Sequence, residues 1–315
     1  MTAPVSVVVV THNSGEVLGS CLDSVAAQTH RRVEVVVVDN GSGDRTVEIA
    51  RTHPASPRVV SNSSNLGFAA ANNQGIRESF GEFVVLLNDD ARLDPGMIAA
   101  CVSRIDRRPA ERIGSISPKI YKDRERRILD STGIVVNKTR IRPFDRGEGE
   151  QDLGQYDRPE WIFGATAAAG FYRRGMLEET SIDGEVLDED YFAYYEDVDL
   201  AWRAQVMGWK CLYLPEAAAV HPRRGPFEKP AAVRKHFLVN RYFCYVKNEP
   251  LRIAASYLPY MIPYEAARLA RLFLTQPGAV AAIPLFFRLL PRMWYKRHSV
   301  LGRRAAPYSY LRQFR

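Results

Sequence analysis

Residues 5–10 (VSVVVV) are apolar at nearly every position instead of at alternate ones. A strand of that kind is covered on both faces, as in a parallel sheet. A polar turn from Thr11 to Gly15 follows, and then Val17, Leu18, Cys21, Leu22 and Val25 recur at helical spacing. The cycle repeats along the chain. A second strand, Val33 to Val38, ends at Asp39 and Asn40, and Asp44 is placed to cap a short helix. Val59 and Val60 begin a third extended piece, and residues 69–78 predict a helix. Phe83 to Leu87 is the next strand, and Asp94-Pro95 opens another helix with Asp94 as its cap. Residues 122–160 read as a charged insertion carrying a hairpin near Ile134, and Trp161 to Arg174 returns to the sheet. Residues 196–207 form a helix with Val198, Ala201, Trp202 and Val206 on one side, closed by Gly208, and Lys210 to Leu214 is a short strand. This alternation predicts an α/β fold: a doubly wound, mostly parallel sheet flanked by helices.

Beyond residue 222 the pattern changes. The tail is rich in arginine, aromatic residues and proline, and its apolar stretches near 251–264 and 278–290 are interrupted by charge or proline. Neither offers the ~20 continuous apolar residues that cross a bilayer. The charge is divided in the same place. From Arg223 onward there are 18 Lys/Arg against 3 Asp/Glu, while residues 1–222 hold 25 against 33. A basic tail on an acidic body suggests a polyanion or an anionic membrane surface as partner. Arginines interleaved with Trp294 and Tyr295 suit an interfacial helix, so the expected partner is the membrane and not nucleic acid. A helical subdomain packed on the core is the plainer alternative. Four scattered cysteines without a CxxC pair argue for free thiols and against a zinc site. With no secretory signal ahead of Val5, a cytoplasmic protein is expected, peripheral on the inner face of the membrane.

In a doubly wound sheet, ligands sit beyond the carboxyl ends of the strands. The polar clusters 11–15, 39–44 and 88–90 each follow a strand. Asn88, Asp89 and Asp90 end the strand VVLL, and adjacent carboxylates need solvent or a cation nearby. Oxygen ligands of this kind suit Mg²⁺ or Mn²⁺. Asp39 is placed to accept hydrogen bonds from a base or ribose, or to shape its own turn. Glu196, Asp197 and Asp199 exceed what capping one helix requires, and a carboxylate at a helix N-terminus stays ionised and ready to accept a proton. His221, read alone, fits a structural role as well as a chemical one. No GxGxxG follows the first strand, and GxxxxGK[ST] and GxSxG are both missing. A nucleotide, a divalent metal and a separate base remain.

Six segments in order, VSVVVVTHNSGEVLGSCLDSV, VEVVVVDNGSGDRT, SNLGFAAANNQGI, VVLLNDDARLDPG, YFAYYEDVDLAWRAQVMGWK and PEAAAVH, resemble the inverting glycosyltransferases of family 2, which have the GT-A fold. The resemblance is greatest to the bacterial rhamnosyltransferase and galactofuranosyltransferase branch. It implies a transferase domain over 1–222, and the basic tail over 223–315 is then expected as a helical extension. It further implies that Thr11, His12 and Asn13 line the nucleotide pocket, that Asp39 binds the base, and that Asn65 and Gly67 approach the nucleotide or its phosphates. Asn88, Asp89 and Asp90 stand at the DxD motif, with Asp90 the principal metal ligand; Asp197 is the implied base, and His221 matches a histidine that binds metal in some members. The implied reaction moves a sugar from a nucleoside-diphosphate sugar, dTDP-L-rhamnose foremost, to a lipid-linked or polysaccharide acceptor. Asn88 departs from the motif, where an acid is usual. A nucleotidyltransferase and a non-catalytic glycan-binding or scaffold protein are the rival readings.

Overall fold

The computed structural model describes residues 3–136, 142–222, 231–275 and 282–313. The first half alternates as the hydrophobic pattern requires: β1 (Val5–Thr11), α1 (Leu18–Ala26), β2 (Val33–Asp39), α2 (Thr46–Thr52), β3 (Arg58–Ser61), α3 (Phe68–Arg77), β4 (Phe83–Asn88), the two-residue β5 (Arg92–Leu93) and α4 (Met97–Asp106). Then come β6 (Ile113–Tyr121), β7 (Leu129–Ser131), the hairpin β8 (Ile134–Val136) and β9 (Pro143–Asp145), β10 (Glu160–Ile162), β11 (Ala169–Arg173), α5 (Arg174–Thr180), α6 (Glu196–Val206) and β12 (Lys210–Val220). The main sheet runs β10-β12-β6-β11-β4-β1-β2-β3, with β5 and β7 as short additions. β3, β2, β1 and β4 are mutually parallel, whereas β11 is antiparallel to both β4 and β6.

Every residue of β1 is buried, as a strand with helices on both faces must be. Val7, Val9, Val85 and Leu87 pack on one face with Leu18, Leu22 and Ile98, while Val8, Val84 and Leu86 pack on the other with Ala69 and Ile76. Each such buried side chain contributes roughly 1.5–3 kcal/mol relative to exposure. The register has a functional result. Thr11 lies opposite Asp39, Val10 opposite Asn88, and Asp39 opposite Ser61, so four strands release their polar ends along one edge. All four cysteines are free and buried.

Three local expectations need correction. The strand from Lys210 continues to Val220 because a register shift between Leu214 and Ala218 absorbs Pro215 and lets pairing with β6 resume. Asp94 does not cap α4: the N-cap position is Gly96, without a side-chain bond, and the Asp94 carboxylate pairs with Arg126 instead. Asp44 lies one residue before the N-cap of α2, Arg45, yet its carboxylate still accepts the Thr46 backbone N–H at 3.0 Å.

The tail is helical: α7 (Ala231–Asn248), α8 (Leu251–Thr275), α9 (Ile283–Gly302) and α10 (Tyr308–Arg312). Prolines do not end α8, because Pro259 and Pro263 both lie on its exposed side, where unpaired carbonyls meet water. Val239, Phe243, Ile253, Leu289, Met293 and Val300 share one core with Tyr191 and Trp202 of the preceding chain. Among the described residues no helix is long and apolar enough to cross a membrane. Outward, Tyr260, Ile262, Phe287, Trp294 and Tyr295 are exposed.

Candidate active site

The turns after β1 and β2 are laced together. Asn13, at φ 54°, donates its backbone N–H to Ser42 Oγ at 2.9 Å and accepts from the Gly43 backbone at 2.8 Å. His12 Nδ1 meets the Asn40 carbonyl at 3.1 Å. Asn40 is the hub: its amide nitrogen donates to Asn65 Oδ1 (3.0 Å) and the Gly67 carbonyl (3.2 Å), and its oxygen accepts from Leu66 N–H. Thr11, His12, Asn13, Asn65 and Gly67 are thus gathered around the end of β2. Asp39 is 2% exposed. Its Oδ2 accepts the Ser42 backbone N–H at 3.2 Å, while Oδ1 is buried without a hydrogen-bond partner among the described residues. A buried carboxylate oxygen left this way is costly, so Asp39 is suited to a donor supplied from outside the chain.

Gly67 has φ 95°, and a Cβ there would lie 2.6 Å from the Phe192 ring. Only glycine allows both that backbone and that approach. The contact joins the Asn65–Gly67 turn to a second region, residues 192–197.

At the end of β4, Asp89 and Asp90 diverge. The Asp89 carboxylate accepts from Ser14 Oγ and so braces the turn after β1. Burial pushes its pKa up, the Ser14 hydroxyl opposes that, and neighbouring Asp90 adds to the rise. Asp90 turns instead to His221, with Oδ1 3.3 Å from Nε2. The other ring nitrogen, Nδ1, lies 2.8 Å from Asp130 Oδ2 on β7. Burial alone would lower the His221 pKa, but hydrogen bonds to Asp130 and Asp90 override it and raise the value to about 9. Asn88 Nδ2 is 3.1 Å from the same Nε2. An Nε2–H directed at Asp90 is best matched with the Asn88 amide turned to present its oxygen.

The pair Asp90–His221, backed by Asp130, fits a divalent ion. A carboxylate on the far nitrogen orients the ring and raises the basicity of Nε2 toward a metal. Among the described residues no three His, Cys, Asp or Glu side chains form a complete cage. An ion here would therefore take two protein ligands and draw the rest from phosphate oxygens and water, as Mg²⁺ and Mn²⁺ sites on nucleotides do.

α6 begins from unusual backbone. Phe192, Tyr194 and Tyr195 have φ of 60°, 71° and 69°. Positive φ costs non-glycine residues about 1–2 kcal/mol each, and it clusters where function requires it. The turn delivers three acids with three fates. Glu196 is buried and held well above the ordinary carboxylate range by burial, then by the charge of Asp197. Asp199 is fully buried against Arg203 (2.9 Å), Lys247 (2.8 Å) and Asn248 (2.7 Å). Asp197 is half-buried; it accepts Val198 N–H at 2.8 Å and Ala167 N–H at 3.2 Å. The next residue, Ala168, accepts the Asn88 backbone N–H at 3.0 Å. One short piece of chain therefore sets Asp197 beside the end of β4.

The sequence-derived site residues thus fall around one edge of the sheet. Two further groups carry weight without having been singled out. Asp130 lay in a segment read as an insertion, and its only signal was an acid before the strand at Ile134. Lys247 lay among many tail cations, and nothing in its spacing set it apart.

The family model described as Glycosyl transferase family 2 matches residues 6–180. N-acetylglucosaminyl-diphospho-decaprenol L-rhamnosyltransferase of Mycobacterium tuberculosis is 29% identical over 276 residues, which is 77% of this chain and 86% of that protein. Glycosyltransferase AglE of Haloferax volcanii is 38% identical over 91 residues, 27% of this chain and 30% of that protein. Among solved structures, S. aureus TarS 1–349 in complex with UDP-GlcNAc matches with a TM-score of 0.59 at 17% identity, covering 95% of this chain and 89% of that one. Mannosyltransferase PcManGT from Pyrobaculum calidifontis, in complex with GDP-Man and Mn²⁺, matches with a TM-score of 0.56 at 19% identity, covering 96% and 86%. The fold is that of the GT-A glycosyltransferases.

Proposed function

The chain belongs to glycosyl transferase family 2, and on that premise we propose that it is an inverting, metal-assisted sugar transferase. The observation that carries the reading is the convergence on one sheet edge of a buried acid with one unpartnered oxygen among the described residues (Asp39), a histidine–carboxylate pair (Asp90–His221) and a helix-start acid (Asp197). Asp39 accepts an N–H of the donor's base. Asp90 and His221 would hold a divalent ion, which supplies positive charge to the diphosphate leaving group. Asp197 removes the proton from an acceptor hydroxyl as its oxygen attacks the anomeric carbon, so one displacement inverts that centre. The Mycobacterium relative makes dTDP-L-rhamnose the first donor to try and a lipid-linked diphosphate sugar the first acceptor.

The tail supports a place for this reaction on the inner face of the membrane. Exposed Phe287, Trp294 and Tyr295 on α9 stand beside exposed Arg288 and Arg292, a mixture that anionic headgroups attract. Flotation should therefore be stronger with anionic than with zwitterionic vesicles; equal binding removes the membrane role and leaves the transferase intact. The function itself is tested by incubating the protein with dTDP-rhamnose, UDP-galactofuranose and UDP-hexoses, with Mn²⁺ or with EDTA, and following nucleotide release and sugar transfer. Metal-dependent transfer from one donor with inverted anomeric configuration is expected. Retention of configuration, or nucleotidyl transfer from a nucleoside triphosphate, would overturn the proposal.

A further inference from the structure

The positive-φ turn that launches α6 is held by a polar side chain of the tail. Asn240, on α7 and fully buried, donates through its amide nitrogen to the carbonyls of Tyr191 (2.8 Å), Ala193 (3.0 Å) and Tyr194 (2.8 Å). Two amide hydrogens serve three acceptors, so one is shared. The amide oxygen is buried with no hydrogen-bond partner among the described residues. Leucine would fill the same space without that penalty, so the amide makes physical sense only for its donors. Turning the amide over would set its oxygen against three carbonyl oxygens, which fixes its orientation.

Neighbouring positions on the same face of α7 extend the grip. The His236 ring stacks on Phe192 at 5.1 Å, and Phe237 meets the rings of Tyr194 and Tyr195 at 5.5 Å. About two turns beyond Asn240, Lys247 and Asn248 hold Asp199. Residues 236, 240, 247 and 248 share a helix face, as their spacing requires. That face reaches residues 191–199, with Phe243 and Cys244 packed in the core between its polar contacts. Asn240 lies outside the 6–180 segment that carries the family match.

Resting on the reading of Asp197 as the base, we propose that Asn240 is a positioning residue for the transfer step. It sets the turn from which α6 starts, and thereby the direction of the Asp197 carboxylate toward the acceptor hydroxyl. A misplacement of about 1 Å at a reacting group is enough to cost on the order of 100-fold in rate.

The test is steady-state kinetics of the full chain with whichever nucleotide sugar the wild type turns over, together with nucleotide Kd by calorimetry and thermal melts. Wild type, Asn240→Leu, Asn240→Ser and Asp197→Asn are compared. Asn240→Leu should stay folded, keep its nucleotide Kd within about threefold, and lose roughly 10- to 100-fold in kcat. Asn240→Ser, which retains one donor, should fall between it and wild type. A Leu variant with wild-type kcat overturns the inference, and so does a kcat loss matched by an equal loss of nucleotide affinity. If neither variant folds, Asn240 is a folding determinant and the positioning role fails. The two layers separate cleanly. Full turnover by Asp197→Asn removes the base assignment, and this inference with it; an inactive Asp197→Asn beside a fully active Asn240→Leu removes this inference alone.

Discussion

The two sides of the site are built by opposite means. On the side proposed for the nucleotide, Thr11, Asp39 and Asn88 hang from the ends of adjacent parallel strands, and sheet register alone aligns them. On the side proposed for the acceptor, Asp197 starts a helix from a turn with three positive-φ residues, held by side chains that arrive from more than forty positions later in the chain. A sheet edge fixes a carboxylate by many small backbone terms that no single substitution removes. A strained turn is fixed by a few specific bonds, so it is vulnerable one residue at a time.

The largest effect should come from Asp197→Asn, which keeps the shape and removes the proton acceptor. We expect kcat to fall about 10²- to 10⁴-fold with nucleotide affinity unchanged, read from turnover and calorimetry. Affinity lost along with rate would mean that the two sides are not separately built.

Next comes the ionic anchor behind the acid. Lys247→Met leaves Asp188 and Asp199 buried without one of their cations, an arrangement that costs about 3–5 kcal/mol and should show as a large drop in Tm. The pH dependence follows from Asp188. Burial pushes its pKa up, but the ammonium groups of Lys247 and Lys296 more than cancel this and leave it depressed in the folded state. A depressed carboxylate stabilises the fold above its unfolded value near 3.8 and loses that contribution as pH falls below it. Wild-type Tm should therefore drop steeply below about pH 4, and less steeply in Lys247→Met.

Smaller again is Asp130→Asn. The amide no longer pulls a proton onto His221 Nδ1, and we expect the Mn²⁺ concentration for half-maximal activity to rise about 10- to 100-fold with kcat at saturating metal preserved. No change in metal requirement would remove His221 from the proposed ion site. At the bottom of the scale, the exposed pair Arg58–Glu78 links β3 to the end of α3, and Arg58→Ala should move stability by less than about 1 kcal/mol. A larger loss would show that the nucleotide side also leans on single contacts.

The same contrast explains what could be read before the fold was known. β1, β2 and β4 announce themselves because burial on both faces demands unbroken apolar runs, and the acids that end those runs are then placed by topology. Asp197 was legible as an excess of acid at a helix start. Asp94 was misread because a cap and an ion-pair partner look alike until Arg126 is seen to reach it. β12 was cut short because Pro215 reads as a stop and the register shift that absorbs it leaves no local mark. Asn240 and Lys247 were invisible for a stronger reason. Their meaning lies in which carbonyls and carboxylates lie opposite, and helix periodicity carries no information about the chemistry of the facing surface.

The four buried thiols offer a clock that the chain carries already. Cys21 and Cys101 lie in the core of the nucleotide side, Cys211 in β12 and Cys244 in α7, and burial pushes the pKa of each upward. A thiol that is both covered and protonated reacts only when its surroundings open. Labelling rates, resolved cysteine by cysteine, then time how often each part of the native molecule comes apart. Modification of Cys244 well ahead of Cys21 would mean that α7 lifts while the sheet stays closed, and that the acid is aimed only for the fraction of time the helix is down.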